Sequence, residues 1–204
     1  MLELNKLYKM DCMDGMKQFP DKYFDLAIVD PPYGIDITKS GRLKKYNGNN
    51  ANWDNETPKK EYFDELFRVS KNAIIWGGNY FNLPPTKCFL IWDKRQPENV
   101  SFASCEFAWT SFDGVAKTFY MSPMNTGEHR IHTTQKPVAL YSWILGRYAK
   151  EGDKILDTHV GSASSLIACY KNNLDFIGFE IDKHYYNLAN ERLTDEMAQL
   201  KFVF

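Results

Sequence analysis

Along the chain, short apolar and aromatic runs alternate with longer amphipathic stretches. DLAIVD (25–30), NAIIWGG (72–78), CFLIWDK (88–94), CEFAWTS (105–111), KILDTH (154–159) and DFIGFEID (175–182) each read as a buried strand, and KLYKMD (6–11) as a weaker one. Their apolar character is continuous rather than alternating. That predicts strands covered on both faces, as in a mostly parallel α/β sheet. Helical patterns fall between them. In PKKEYFDELFRVS, residues Tyr62, Phe63, Leu66 and Phe67 share one stripe, and Pro58 suits a first helical turn. KPVALYSWILGRYAK (136–150), begun by Pro137, and GSASSLIACYKNN (161–173) are two more. DKHYYNLANERLTDEMAQL (182–200) is the longest, with Tyr186, Ala189, Leu193, Met197 and Leu200 on one side and Asp182 as N-cap. CMDGMKQF (12–19) predicts a short helix after the first strand. No repeat, low-complexity tract or linker divides the sequence, so one α/β domain spanning 1–204 is expected.

In open α/β sheets, ligands bind beyond the carboxyl ends of strands, near the point where the strand order reverses. Here those ends are Asp11-Cys12, Asp30-Pro31-Pro32-Tyr33-Gly34, Gly77-Gly78-Asn79, Asp157-Thr158-His159-Val160-Gly161-Ser162 and Glu180-Ile181-Asp182. Several end in a carboxylate and two run into glycine, which a purely structural sheet does not need. Pro31 and Pro32 each fix φ and remove an N–H, so neither strand nor helix continues freely through them. They present Asp30 and the Pro31 carbonyl in a stiff geometry, as two acceptors able to bind both hydrogens of an exocyclic amine. Tyr33 then offers a flat face for a heterocyclic base. Gly161, opening a small-residue helix start, lets backbone approach a ligand closely. Glu180 follows Asp157 by roughly 20 residues, the interval of a ribose-binding carboxylate in nucleotide-type folds.

Asp-Pro-Pro-Tyr after an apolar strand resembles the catalytic motif of the amino-methylating N-4/N-6 DNA methyltransferases. In that family Asp at its head goes mostly with adenine N6, and Ser with cytosine N4. KILDTHVGSASSLIAC (154–169) is similar to the family's cofactor loop, Asp-Pro-Phe-x-Gly-Ser-Gly: Asp157, Gly161 and Ser162 agree, while Thr158 and His159 replace Pro-Phe and Ala163 replaces the second Gly. Thr134-Gln135-Lys136-Pro137 resembles its Gln-Lys-Pro element. Catalytic residues precede the cofactor loop, as in the circularly permuted β-type members. The resemblance implies a Rossmann-like fold, with a seven-stranded, mostly parallel sheet and helices on both faces. It implies S-adenosylmethionine as cofactor, S-adenosylhomocysteine as product, no metal, and double-stranded DNA as substrate, with the target adenine flipped out onto Tyr33. Asp30, Pro31, Pro32 and Tyr33 would be catalytic. The cofactor would be held by Asp11 (its adenine amino group), Cys12, Asp30, Lys136 (its carboxylate), Asp157 (its ammonium), His159, Gly161, Ser162 and Glu180 (its ribose).

Composition adds constraints. Four scattered cysteines (Cys12, Cys88, Cys105, Cys169) without a closely spaced Cys/His cluster disfavour a disulfide framework or structural zinc, and His129 and His132 lack companion ligands. The N-terminus lacks a signal-peptide layout and no apolar run reaches membrane-spanning length, so a cytoplasmic protein, bacterial or phage-encoded, with no membrane partner is expected. Net charge is −1, but residues 39–52 carry Lys39, Arg42, Lys44 and Lys45 and no acid, a loop suited to phosphate contacts. Segments at about 35–57 and 112–134 are the expected recognition loops. A homodimer or a partner specificity subunit is compatible with so short a recognition region. Cytosine-N4 methylation and a catalytically silent DNA-binding subunit are the rival functions. Asp30 in place of Asn, together with the permuted order, disfavours a glutamine methyltransferase.

Overall fold

The computed structural model describes residues 1–37, 53–97, 99, 100 and 102–199. Its strands are β1 (Lys6–Lys9), β2 (Phe24–Val29), β3 (Ser70–Trp76), β4 (Phe89–Asp93), β5 (Cys105–Thr110), β6 (Lys117–Tyr120), β7 (Lys154–Asp157) and β8 (Asp175–Glu180). They form one sheet in the order β1-β8-β7-β2-β3-β5-β4-β6. β5 runs antiparallel to both neighbours, β3 and β4, and every other adjacent pair is parallel. The helices are α1 (Cys12–Met16), α2 (Lys60–Val69), α3 (Val138–Tyr148), α4 (Ser164–Lys171) and α5 (Lys183–Gln199).

All seven expected strands form, and an eighth, β6, joins β4 at the sheet edge. β6 is KTFY, four residues with no fully buried side chain, too short and too polar to announce itself by periodicity. It lies inside the 112–134 segment expected to be a loop. Pro58 also differs from expectation: α2 begins at Lys60 with Lys59 as its N-cap, which leaves the proline outside the helix. Asp182 does cap α5, accepting the amides of His184 (2.8 Å) and Tyr185 (3.1 Å).

Alternation along the central strands separates two cores. Leu26, Ile28, Ile74 and Trp76 face a layer built from α3, α4 and α5, including Leu140, Ile144, Leu166, Ile167 and Leu193. Ala27, Val29, Ala73 and Ile75 face the other side, against Met16 of α1 and Tyr62, Phe63 and Leu66 of α2. Continuous apolarity in the sequence thus records two buried faces. From β2 the chain crosses through α2 to β3, and from β7 through α4 to β8, in opposite directions along the sheet. The reversal lies between β7 and β2, whose carboxyl ends carry Asp157 and Asp30.

Candidate active site

The loop leaving β2 is held from below by a residue the sequence reading missed. Asp54, almost wholly buried, accepts backbone N–H groups from Tyr33 (2.7 Å) and Gly34 (3.0 Å) on Oδ1 and from Ile37 (3.0 Å) on Oδ2. Nothing in NANWDNET marked it, because its partners stand about 20 residues earlier. Asp54→Asn loses the charge and one acceptor, and turns an amide donor toward an N–H. We expect it to cost about 1–3 kcal/mol of stability and to lower turnover while S-adenosylmethionine affinity stays close to wild type. Thermal melting and single-turnover methylation check this, and an unchanged variant would make the anchor redundant.

Asp30 sits at the centre of a charged chain. Its Oδ1 accepts the Tyr33 hydroxyl (2.6 Å) and its Oδ2 accepts the Lys136 ammonium. Lys136 also reaches Glu106 Oε2 (3.0 Å) and the Tyr33 oxygen (3.3 Å), and Lys94 holds Glu106 Oε1 (2.6 Å). Burial raises the Asp30 carboxyl above its ordinary range against the pull of Lys136. At Lys136 burial opposes the charge, but Asp30 and Glu106 hold the ammonium above its usual value. Burial also works against an ionised Glu106, yet Lys136 and Lys94 bring its carboxyl down to about 2. Lys136 thus rests on two acids, Asp30 just beyond β2 and Glu106 on β5.

Tyr33 stacks on Tyr80 (ring centroids 4.9 Å, planes 15° apart). Gly77 makes room for the ring: it has φ +70°, and a Cβ there would lie 2.2 Å from Tyr33. A cavity of about 380 Å³ opens here, lined among others by Asp30, Pro31, Tyr33, Tyr80, Phe102 and Glu106. Ile37 and Trp53, which bracket residues 38–52 in sequence, line it too. Lys39, Arg42, Lys44 and Lys45 lie outside the described residues.

The acidic strand ends gather alongside. Lys9 of β1 pairs in register with Glu180, and Asp157 with Gly178, so Asp11, Glu180 and Asp157 follow one another across three neighbouring strands. Asp11 caps α1 through the Met13 amide (2.7 Å), and burial pushes the neighbouring Cys12 thiol up to about 12. Glu180 accepts Gly161 N–H (2.9 Å) and Asp182 N–H (2.9 Å). Asp157 accepts His159 N–H (2.9 Å) and the Ser165 hydroxyl. Burial drives the Asp157 carboxyl up to about 7, against those donors, with Asp30 and Glu180 adding repulsion. His159 fills the place of an aromatic residue: its ring meets Tyr62 edge-on at 5.4 Å, and burial lowers its pKa to about 4, keeping it neutral. Ala163 has φ +62°, a left-handed conformation costing alanine about 1 kcal/mol, which is why α4 starts only at Ser164. Ser162, also buried, accepts the Arg192 guanidinium on its backbone carbonyl (2.7 Å). His132 is wedged between the rings of Trp53 and Tyr185, at 5.4 and 4.3 Å.

These acids suit a cationic nucleoside. No cationic side chain pairs with Asp157 among the described residues, and an ammonium or sulfonium nearby would relieve the cost of its ionisation. Acceptor-rich strand ends beside a rigid Asp-Pro-Pro-Tyr turn, at the switch point of this sheet, fit the Rossmann-like S-adenosylmethionine-dependent methyltransferase class. Comparison with known proteins narrows that class. A family model described as DNA methylase matches residues 91–191. Type II methyltransferase M.HpaI of Haemophilus parainfluenzae is 43% identical, over 94% of this chain and 74% of that protein. M.HinfI of Haemophilus influenzae is 26% identical, over 94% and 69%. Among solved structures, the M1.HpyAVI–SAM complex superposes with a TM-score of 0.63 at 20% identity, covering 92% of this chain and 98% of that one. PvuII DNA methyltransferase (cytosine-N4-specific) reaches 0.63 at 13%, covering 96% and 92%. The chain belongs to the N-4/N-6 DNA methyltransferase family, whose methyl donor is S-adenosylmethionine.

Proposed function

We propose that the chain methylates the exocyclic N6 amine of a flipped-out adenine in double-stranded DNA. The observation carrying this reading is Asp30: a carboxylate, rather than a hydroxyl, heads the Pro-Pro turn at the end of β2, on the wall of the cavity. The adenine amine is a weak nucleophile because its lone pair is delocalised into the ring. Asp30 and the Pro31 carbonyl, accepting its two N–H bonds, favour a pyramidal nitrogen and localise the pair. When bound, the cofactor supplies a methyl group already activated on a sulfonium, so positioning and polarisation by the protein provide most of the acceleration. Pro32 stiffens the turn, and Tyr33, oriented through its hydroxyl bond to Asp30, is the surface on which the base stacks. Tyr80 now covers one face of that ring, so the base either displaces it or takes the opposite face. Asp11, Cys12, Asp30, Lys136, Asp157, His159, Gly161, Ser162 and Glu180 would hold the cofactor. Lys39, Arg42, Lys44 and Lys45 are the proposed phosphate contacts.

Digestion of methylated DNA to nucleosides followed by mass analysis tests the base. N6-methyladenine is the expected product, from unmethylated genomic DNA treated with the protein and S-adenosylmethionine. N4-methylcytosine would replace the adenine reading by its rival. No modified base, despite normal cofactor binding, would favour a silent DNA-binding subunit.

A further inference from the structure

Both oxygens of Asp30 are engaged before any substrate arrives: Oδ1 by Tyr33 and Oδ2 by Lys136. That arrangement does not suit the reaction proposed above, on which this inference rests. The target nitrogen gives its lone pair to the methyl carbon and takes a positive charge as the carbon–sulfur bond breaks. It then releases one proton to the Asp30 carboxylate, and from there to solvent. An ammonium hydrogen-bonded to the same carboxylate competes for the acceptor and repels the forming cation. Lys136 must therefore let go of Asp30 while keeping an anionic partner, since only 3% of it is exposed.

The partner is already in place. Glu106 Oε2 stands 3.0 Å from the Lys136 ammonium, on β5 in the cavity lining. Its other oxygen is fixed by Lys94 at 2.6 Å, and the side chains of Glu106 and Lys94 are both mostly buried. The Trp76 ring, 5.1 Å from the ammonium, backs the same position. Transfer from Asp30 to Glu106 needs only a lost hydrogen bond and a small rotation, with no change in the main chain. We propose that Glu106 is a positioning residue that draws Lys136 off Asp30 when the target amine enters, so that Lys136 has a resting place and a working place. The signal was present in CEFAWTS, where one acid interrupts an otherwise apolar strand.

Glu106→Gln and Glu106→Asp test this in the full chain, using unmethylated genomic DNA and methyl-labelled S-adenosylmethionine under single-turnover conditions. Glu106→Gln should lower the melting temperature, because the mostly buried Lys94 loses its carboxylate partner, and should bind the cofactor normally, yet lose about tenfold to a hundredfold in rate, the scale of a misplaced neighbour to the reacting groups. Its pH profile should move as well. The charged and titratable groups facing Asp30 are Tyr33 on its own loop, Lys136 before α3, Tyr141 on α3, Tyr62 on α2, Asp157 on β7 and Glu106 with Lys94 behind it. Without Glu106, Lys136 rests wholly on Asp30 and the repulsion from Glu106 is gone. Asp30 then stays ionised to lower pH, and the acid limb of the rate shifts down while the plateau falls. Glu106→Asp, which keeps the charge, should restore most of the rate and the limb. A wild-type rate and limb in Glu106→Gln would overturn the proposal. So would equal losses of rate in both variants, since that describes a structural role. Asp30→Ala separates the two readings: if it retains turnover, the proposed chemistry fails, whereas a dead Asp30→Ala beside a fully active Glu106→Gln rejects only the role of Glu106.

Discussion

Asp30→Ala is expected to take methyl transfer below detection, a loss of at least about 10³-fold, while S-adenosylmethionine affinity stays within a few-fold. Removing one preorganised polar group from a reacting centre commonly costs about 10²–10³ in rate, and Asp30 is asked for two services, polarising the amine and taking its proton. The variant should still fold. A buried ammonium stripped of its partner costs about 3–5 kcal/mol, but Lys136 keeps Glu106 at 3.0 Å. Asp30→Asn keeps the shape and an acceptor for Tyr33 but loses the charge and the second acceptor and turns an amide donor toward Lys136, so it should be nearly as inactive. Calorimetric titration with the cofactor and single-turnover labelling measure both quantities. Retained turnover in either variant would remove Asp30 from the mechanism.

The opposite pattern is expected at the neighbouring strand ends. Asp157→Asn and Glu180→Ala should each weaken S-adenosylmethionine binding by about tenfold to a hundredfold, the loss of a charged hydrogen-bond partner worth about 1.5–3 kcal/mol. Asp157 adds a pH signature. Its carboxyl rises from about 3.9 in an unfolded chain to about 7 in the fold, so between those values the folded state binds the proton more tightly. Stability without cofactor therefore falls as pH rises through that window, because the unfolded chain has released a proton that the fold still holds. A cationic ligand prefers the ionised carboxylate. Cofactor affinity should then climb as pH approaches about 7 and level off above it, and Asp157→Asn should flatten both curves. Melting temperature and affinity measured across that range decide the point. If the two variants bind normally, the cofactor lies elsewhere.

The sequence alone determined the sheet, the permuted order and the chemical type of the site. Each central strand is apolar on both faces, and that continuity is a local property that survives without knowledge of neighbours, as DLAIVD and NAIIWGG show. Asp-Pro-Pro-Tyr was equally legible, since proline stiffness and the residues beside it are fixed by covalent structure. Boundaries were less so: Pro58 fell outside α2, and β6 became a strand only because β4 offers it an edge to pair with.

What only the tertiary structure decided was which charges meet. Asp54, Glu106, Lys94 and Tyr80 carried no motif, yet they hold the catalytic loop, the lysine beside it and the face of Tyr33. Lys136 stands in a motif that resembles a cofactor contact, but its bond to Asp30, from which 106 positions separate it, is visible only in the fold. Which segments become strands is written in local hydrophobic pattern, which each segment carries within itself. An ion pair depends on the distance between two side chains, and that distance is set only when crossovers bring β2, β5 and the start of α3 to the same end of the sheet.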